Sequence, residues 1–174
     1  MGGMIVMIET RRLHIGKFTL EMAERVHLLS LDEDNRRFVP DEVFETVEDA
    51  RDALGYLIGC YETLDGPLAY PVLLEESCIG YVQLVPMDGG AWEVGYHIGR
   101  EYTGCGYATE AVSAFLPVMA ARLGLTEVQG ICLAENEASV RVLRKCGFVP
   151  VFSGAGYYQG QKRDIRKFVW KNRV

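Results

Sequence analysis

The sequence predicts a mixed α/β domain built on a mostly antiparallel sheet, and three observations carry that expectation. Between residues 68 and 99, runs of strand-forming residues follow one another across turn signals too short to hold a crossover helix, which predicts an antiparallel meander. Apolar residues recur at helical spacing on either side of this meander, so helices accompany the sheet. The 174 residues are 49% hydrophobic and 24% charged, enough for one full-sized core and too few for two, which predicts a single domain over 1–174.

Taken in order, residues 11–16 read as a first strand and residues 20–31 as a helix that Asp32, Glu33, Asp34 and Asn35 terminate. The link 36–45 carries no regular pattern. Thr46-Val47-Glu48-Asp49 resembles a capping box with Asp in place of Glu, and starts a helix that runs to about residue 61. Strands over 68–75, 78–86 and 91–99 are divided by Glu76-Ser77 and by Asp88-Gly89-Gly90. A helix over 106–123 presents Ala108, Ala111, Val112, Phe115, Met119 and Leu123 on one face, while Pro117 inside it predicts a kink or a division. Residues 127–133 then form a strand, 136–145 a helix closed by Gly147, and 149–154 and 164–171 two final strands. Met22, Phe115 and Met119 read as core or core-edge filling, and Tyr157 and Tyr158, among glycines, as part of a loop at the edge of a site.

Several function classes recede on composition. A net charge of −6 disfavours a nucleic-acid partner and leans toward a cationic substrate. Cys60, Cys78, Cys105, Cys132 and Cys146 are odd in number and lack a C-x-x-C pair, so they read as reduced cytoplasmic thiols rather than a disulfide framework or a zinc site. Met1-Gly2-Gly3-Met4-Ile5-Val6 has neither a leader pattern nor the Ser/Thr of a myristoylation signal, and no apolar run reaches membrane-spanning length. The expectation is a cytoplasmic protein without a membrane partner.

The most specific local pattern is Gly104-Cys105-Gly106-Tyr107-Ala108-Thr109-Glu110-Ala111, where a strand gives way to a helix. Small residues there admit a ligand to the backbone, and the unpaired N–H groups of the first helical turn favour an anion, so the segment reads as a phosphate seat. Tyr107 and Ala108 stand where a nucleoside-triphosphatase needs Lys and Ser/Thr, and Thr109 where a dinucleotide fold needs its third glycine.

Together with Trp92-Glu93-Val94-Gly95-Tyr96-His97-Ile98, Asn136-Glu137-Ala138-Ser139 and Lys145-Cys146-Gly147-Phe148, this segment resembles the GNAT superfamily of acetyl-CoA-dependent N-acetyltransferases. The opening ETRRLHIGKFTLEMA is similar to the RimJ/RimL-like branch, which acetylates N-terminal amines of ribosomal proteins and, in relatives, other amines. The resemblance implies a sheet that splays near the Ile98 strand, with helices on both faces. It also implies acetyl-CoA as cosubstrate, an amine acceptor, and direct attack in a ternary complex without metal or covalent enzyme intermediate.

The same resemblance assigns residues. Backbone near Ile98 would pair with pantetheine, and Thr103, Gly104, Cys105, Gly106, Tyr107 and Ala108 would hold the pyrophosphate. Asn136 would meet the pantetheine arm, although an ordinary helix N-cap reads equally well. Lys145 would partner a phosphate or stand as a solvated helix-end lysine. Glu93 would be the base, opposite the face of Trp92, Val94, Tyr96 and Ile98; His97 shares the Glu93 face and is a second candidate unless Gly95 marks a bulge. Ser139 would hydrogen-bond the leaving sulfur, against a plain first-turn serine serving the backbone. Two positions depart from the superfamily pattern: Glu101 replaces the usual Gln or Arg before the loop, and Leu143 replaces a common tyrosine.

Amide formation needs a neutral amine. Deprotonating a lysine-like amine of pKa roughly 10.4 costs about 4.6 kcal/mol at pH 7, against roughly 1 to 1.4 for an α-amine. The acceptor itself is not legible, since peptide N-termini, aminoglycosides, polyamines and amino acids all suit the scaffold. A rival function is an acyl-CoA-binding or sensing module that kept the fold without turnover; monomer and homodimer both remain open.

Overall fold

The computed structural model describes residues 6–173; the leader reading rests largely on residues 1–5, which lie outside the described residues. Strands β1 (Val6–Glu9), β2 (Leu13–Gly16), β3 (Leu68–Leu74), β4 (Ser77–Pro86), β5 (Trp92–Ile98), β6 (Glu127–Leu133), β7 (Val149–Tyr158) and β8 (Gln161–Lys171) form one sheet in the order β1-β2-β3-β4-β5-β6-β8-β7. Helices α1 (Ala23–Ser30), α2 (Glu33–Phe38), α3 (Val47–Thr63), α4 (Tyr107–Leu123) and α5 (Glu137–Lys145) complete it. Every strand pair is antiparallel except β5 with β6, which is parallel and meets at one register position, Glu93 opposite Gln129. The sheet is therefore the mostly antiparallel, splayed sheet anticipated from sequence.

Alternation along β3 and β4 decides which helix covers which face. Leu68, Tyr70 and Val72 join Val82 and Leu84 in a core with Ala111, Val112, Phe115, Leu116 and Met119 of α4. Ala69 and Tyr81 point the other way, into a smaller core with Ala23 of α1 and Ala50 and Leu54 of α3. Phe115, Met119 and Val112 are fully buried, as their helical spacing predicted. Met22 sits at the edge of the smaller core.

Four local readings are corrected. The first strand begins at Leu13, and a further strand, β1, precedes it; four residues were too short to show a period. The helix expected over 20–31 does stop at Ser30, but the acidic run that follows is not a plain terminator: Asp32 opens α2, its carboxylate accepting the Asn35 N–H at 2.8 Å. Helix α4 runs unbroken through Pro117, which lies on its exposed side, where water can satisfy the carbonyl that loses its partner. The last two strands are longer than expected, so Tyr157 and Tyr158 belong to strand β7 rather than to a loop. The Thr46–Asp49 capping box is present with both of its bonds.

One polar tie fixes the start of α4 against the β1–β2 turn. Thr10 Oγ1 and the Arg12 N–H donate to Glu110 Oε1 at 2.6 and 2.9 Å, and Arg12 Nε donates to Oε2 at 2.7 Å. Burial alone would raise the Glu110 pKa, but these hydrogen bonds and the Arg12 charge outweigh it and hold the carboxyl below its ordinary range. Because the folded-state value is the lower one, the stability this carboxylate supplies is present above the unfolded-state pKa of about 4.3 and is lost as pH falls through the folded-state value. Glu110→Ala is expected to cost about 1–3 kcal/mol in urea denaturation at pH 7. The difference from wild type narrows in acid; a gap that persists undiminished to pH 3 would assign the loss to packing instead.

Candidate active site

Parting of β5 from β6 beyond Glu93 opens a cleft of about 510 Å³, floored by β5 and walled by α2, α5, β7 and the loop before α4. The β4–β5 register is continuous, with Gln83 opposite Gly95 and Tyr81 opposite His97, so Gly95 marks no bulge. Glu93 and His97 therefore share the α1/α3 face with Tyr81 and Gln83, while Val94, Tyr96 and Ile98 look toward α4 and α5.

On the Glu93 face, a second carboxyl arrives from the 3₁₀ turn Pro40–Glu42. Gln83 Nε2 donates to Glu42 Oε1 at 2.8 Å, and Glu42 Oε2 is buried with no partner. Gly95 leaves the room for this bond, since a Cβ there would lie 2.8 Å from Gln83 Nε2. Burial pushes Glu42 up to about 7, Gln83 opposing and the charges of Asp41 and Glu93 assisting. Burial likewise pushes Glu93 up to about 7, with Asp41 adding repulsion and Lys167 partly offsetting it. Both carboxyls can therefore exchange a proton near neutrality. Tyr158 closes this side, donating to Phe38 O at 2.9 Å, and burial holds its phenol protonated.

The segment that supplies Glu42 is held from beneath. Asn35, 1% exposed, donates through Nδ2 to Ser30 O at 3.0 Å and to Glu42 O at 3.1 Å. His97 Nε2 lies 3.2 Å from Asp32 Oδ2 and 3.3 Å from Leu29 O, with both side chains only 11% and 13% exposed. Its ring nitrogen is thus engaged away from Glu93, whereas no hydrogen bond contributes to the state of the Glu93 carboxyl.

On the opposite face of β5, the Tyr96 hydroxyl and Ser139 Oγ are 2.7 Å apart, and Tyr96 also reaches Ser139 O at 3.1 Å. Burial raises the Tyr96 pKa, so the phenol stays a donor. Asn136 caps α5, its Oδ1 accepting the Ser139 N–H at 3.2 Å, and it lines the cleft as well. Ile98, Thr103 and Ala108 line the same slot. Gly104 and Gly106 have φ of 79° and 81°, a left-handed backbone that glycine adopts without strain. The first bond of α4 runs from Glu110 N to Gly106 O, so the N–H groups of Tyr107, Ala108 and Thr109 precede the helical ladder. Cys105 is exposed in that loop, Glu101 is exposed beside it, and Lys145 is exposed at the end of α5, outside the cleft lining.

Asp41, Glu42 and Tyr96 were not singled out from sequence, whereas Tyr158 was expected at the edge of a site and lines the cleft from a strand instead of a loop. Glu42 lay in the patternless link, whereas the alternation of Val94, Tyr96 and Ile98 already put Tyr96 beside the slot.

Residues 12–149 match the acetyltransferase (GNAT) domain family. The chain is 31% identical over 143 residues to the uncharacterized N-acetyltransferase YnaD of Bacillus subtilis (strain 168), covering 80% of this chain and 81% of that one. It superposes with a TM-score of 0.82 on the crystal structure of a GNAT-family acetyltransferase from Bacillus anthracis, at 26% identity over 96% of this chain and 99% of the other. A RimL ribosomal L7/L12 α-N-protein acetyltransferase in complex with coenzyme A shares the fold, with a TM-score of 0.82 at 17% identity over 95% of this chain and 97% of that chain.

Raised carboxyl pKa values also set a pH signature. Glu42 and Glu93 keep protons in the folded state up to about pH 7 that the unfolded chain releases near 4.3, so the folded protein binds more protons between those values. Unfolding free energy is expected to fall as pH rises from 5 to 8, and Glu42→Gln or Glu93→Gln to flatten that fall in urea titrations. Slopes parallel to wild type would show that neither carboxyl ionises at a cost.

Proposed function

Since the chain belongs to the GNAT acetyltransferase family, we propose that it transfers the acetyl group of acetyl-CoA to a primary amine by direct attack in a ternary complex. The observation that carries this is the arrangement about β5. A buried carboxyl of pKa about 7, Glu93, faces the cleft from one side, and the Tyr96–Ser139 hydroxyl pair borders it from the other.

Acetyl-CoA supplies the activated acetyl group, and the residues around the slot suit its parts. The left-handed Gly104 and Gly106 and the free N–H groups of Tyr107 and Ala108, with Thr103 and Cys105 beside them, suit the pyrophosphate, and the unpaired edge of β5 near Ile98 suits an extended amide arm. Asn136 both caps its helix and borders that arm, while Lys145 remains a candidate partner for a phosphate at the rim. Glu101 points to solvent, so the loop works through its backbone.

Glu93 takes the proton that the amine loses on attack, directly or through one water. Ser139 donates to the departing sulfur, and the Tyr96 hydroxyl, 2.7 Å from its Oγ, holds it in place. Ser139 in this role, with Leu143 in place of tyrosine, favours the RimJ/RimL-like branch. An α-amine is the easier acceptor chemically, and the negative balance of the Glu93 side suits a cation on arrival. The five free cysteines fit a reducing compartment, the cytoplasm.

A screen of amines with acetyl-CoA, followed by thiol release, tests the proposal; saturating acetyl-CoA that neither binds nor turns over in folded protein ends it. Glu93→Gln is expected to keep acetyl-CoA affinity and to lose roughly 10²- to 10⁴-fold in turnover, with partial recovery as pH rises and more amine is neutral. Ser139→Ala should lose turnover without that recovery, the deficit shrinking with a donor of lower thiol pKa. Gly106→Val is expected to abolish acetyl-CoA binding in calorimetry while the domain still melts cooperatively; wild-type affinity would move the phosphate seat elsewhere.

A further inference from the structure

On the same side of the sheet as Glu93 lies a second, smaller cavity of about 240 Å³ between α1, α3 and the β3–β4 surface. Its walls are apolar, formed by Phe18, Val26, Leu29, Phe44, Leu57 and Tyr81 among others. A concave, mostly apolar space beside a few convergent polar groups is the form that a small-ligand site takes. An engineered apolar cavity of roughly 150 Å³ already takes up benzene.

Its position says which occupant. Asp41, Glu42, Gln83 and His97 line both this cavity and the cleft that holds Glu93, so the two spaces share one polar wall. Within that wall Gln83 ties down one oxygen of Glu42, and the other, Oε2, is buried without a donor. A primary amine with an apolar substituent suits both features: its charged end meets the acidic wall that the two spaces share, and its substituent fills the cavity.

We propose that this cavity is the acceptor's side-chain subsite, taking an apolar group up to the size of an aromatic ring that lies a few bonds from the reacting primary amine. The inference rests on the acetyl-transfer reading of the cleft, and Glu42 is the group that guides the ammonium from the shared wall toward Glu93. A small arylalkylamine and a peptide whose first residue is large and apolar present the same chemistry.

The test uses the whole protein with acetyl-CoA and two matched pairs of acceptors: 2-phenylethylamine against ethanolamine, and a Leu-Gly amide against a Ser-Gly amide. Thiol release gives kcat/KM for each, and calorimetry on the CoA complex gives binding independently of turnover. At least about tenfold preference for the apolar member of one pair is expected, the lower end of what one methylene confers in a hydrophobic pocket. The pair that shows it tells a small amine from a peptide. Ala53, half-buried in the cavity wall on α3 and apart from the reacting groups, offers a variant: Ala53→Phe should erase the preference by raising KM for the apolar acceptor about tenfold, leaving the polar acceptor and acetyl-CoA unaffected. Should that variant fail to fold, the wild-type pairs decide alone. Turnover with equal constants in both pairs overturns the subsite while keeping the transfer reading. Tighter binding of the apolar member without thiol release from any acceptor keeps the subsite and overturns that reading. No preference in binding or turnover, or a proportional loss for all acceptors in folded Ala53→Phe, overturns the inference.

Discussion

A sheet that lets go of itself is the constraint on which the rest of this structure depends. β5 and β6 touch at one parallel bridge and then diverge, leaving one edge of β5 without a strand partner in the middle of the molecule. Backbone N–H and C=O groups cannot be left dry, so this edge must be met by water or by something that mimics a strand. The same divergence makes room for α5 to present Ser139 to Tyr96 and for the glycine loop to open α4 at the far end of the slot. On the other side, complete β4–β5 pairing keeps β5 straight, so its alternation sorts side chains cleanly between two faces.

Electrostatic tension on one of those faces follows from how the wall is closed. Glu42 and Glu93 are half-buried in a wall that Asp41 and Tyr158 also line. Empty of cations, the wall favours protonated carboxyls. An arriving ammonium reverses that preference, because an opposite charge favours the ionised form. A carboxylate is then present at the moment a proton must be removed, and the proposed base is activated by its own substrate.

Much of this was legible in the sequence because it rests on local chemistry. The capping box at Thr46, the α4 core face, the meander and the cap at Asn136 are each set by a few neighbouring residues. The roles proposed for Glu93 and Ser139 came instead through resemblance, and the placement of Glu93 opposite Tyr96 through the period of the strand. What stayed hidden depends on distant partners. Asn35 is buried only because Ser30 and Glu42 converge on it, and the 36–45 link has no pattern of its own since its geometry is dictated by those bonds. Tyr158 was misplaced in a loop because glycines in β7 look like turn residues until β8 pairs with them.

The hairpin and the link hold each other by Tyr158 to Phe38 O and Gln159 Nε2 to Asp41 Oδ1 at 2.7 Å; both line the cleft from the Glu93 side and reach the start of α5 through the exposed Arg163–Glu135 and Arg37–Glu135 pairs. Substitutions in the link, α3 or the hairpin remodel the chamber beside Glu93, while the left-handed backbone of the glycine loop and the Asn136 cap of α5 rest on local geometry of their own. A lineage built on this chain could exchange one clientele for another by drift in a few surface-near segments, with the donor machinery inherited intact.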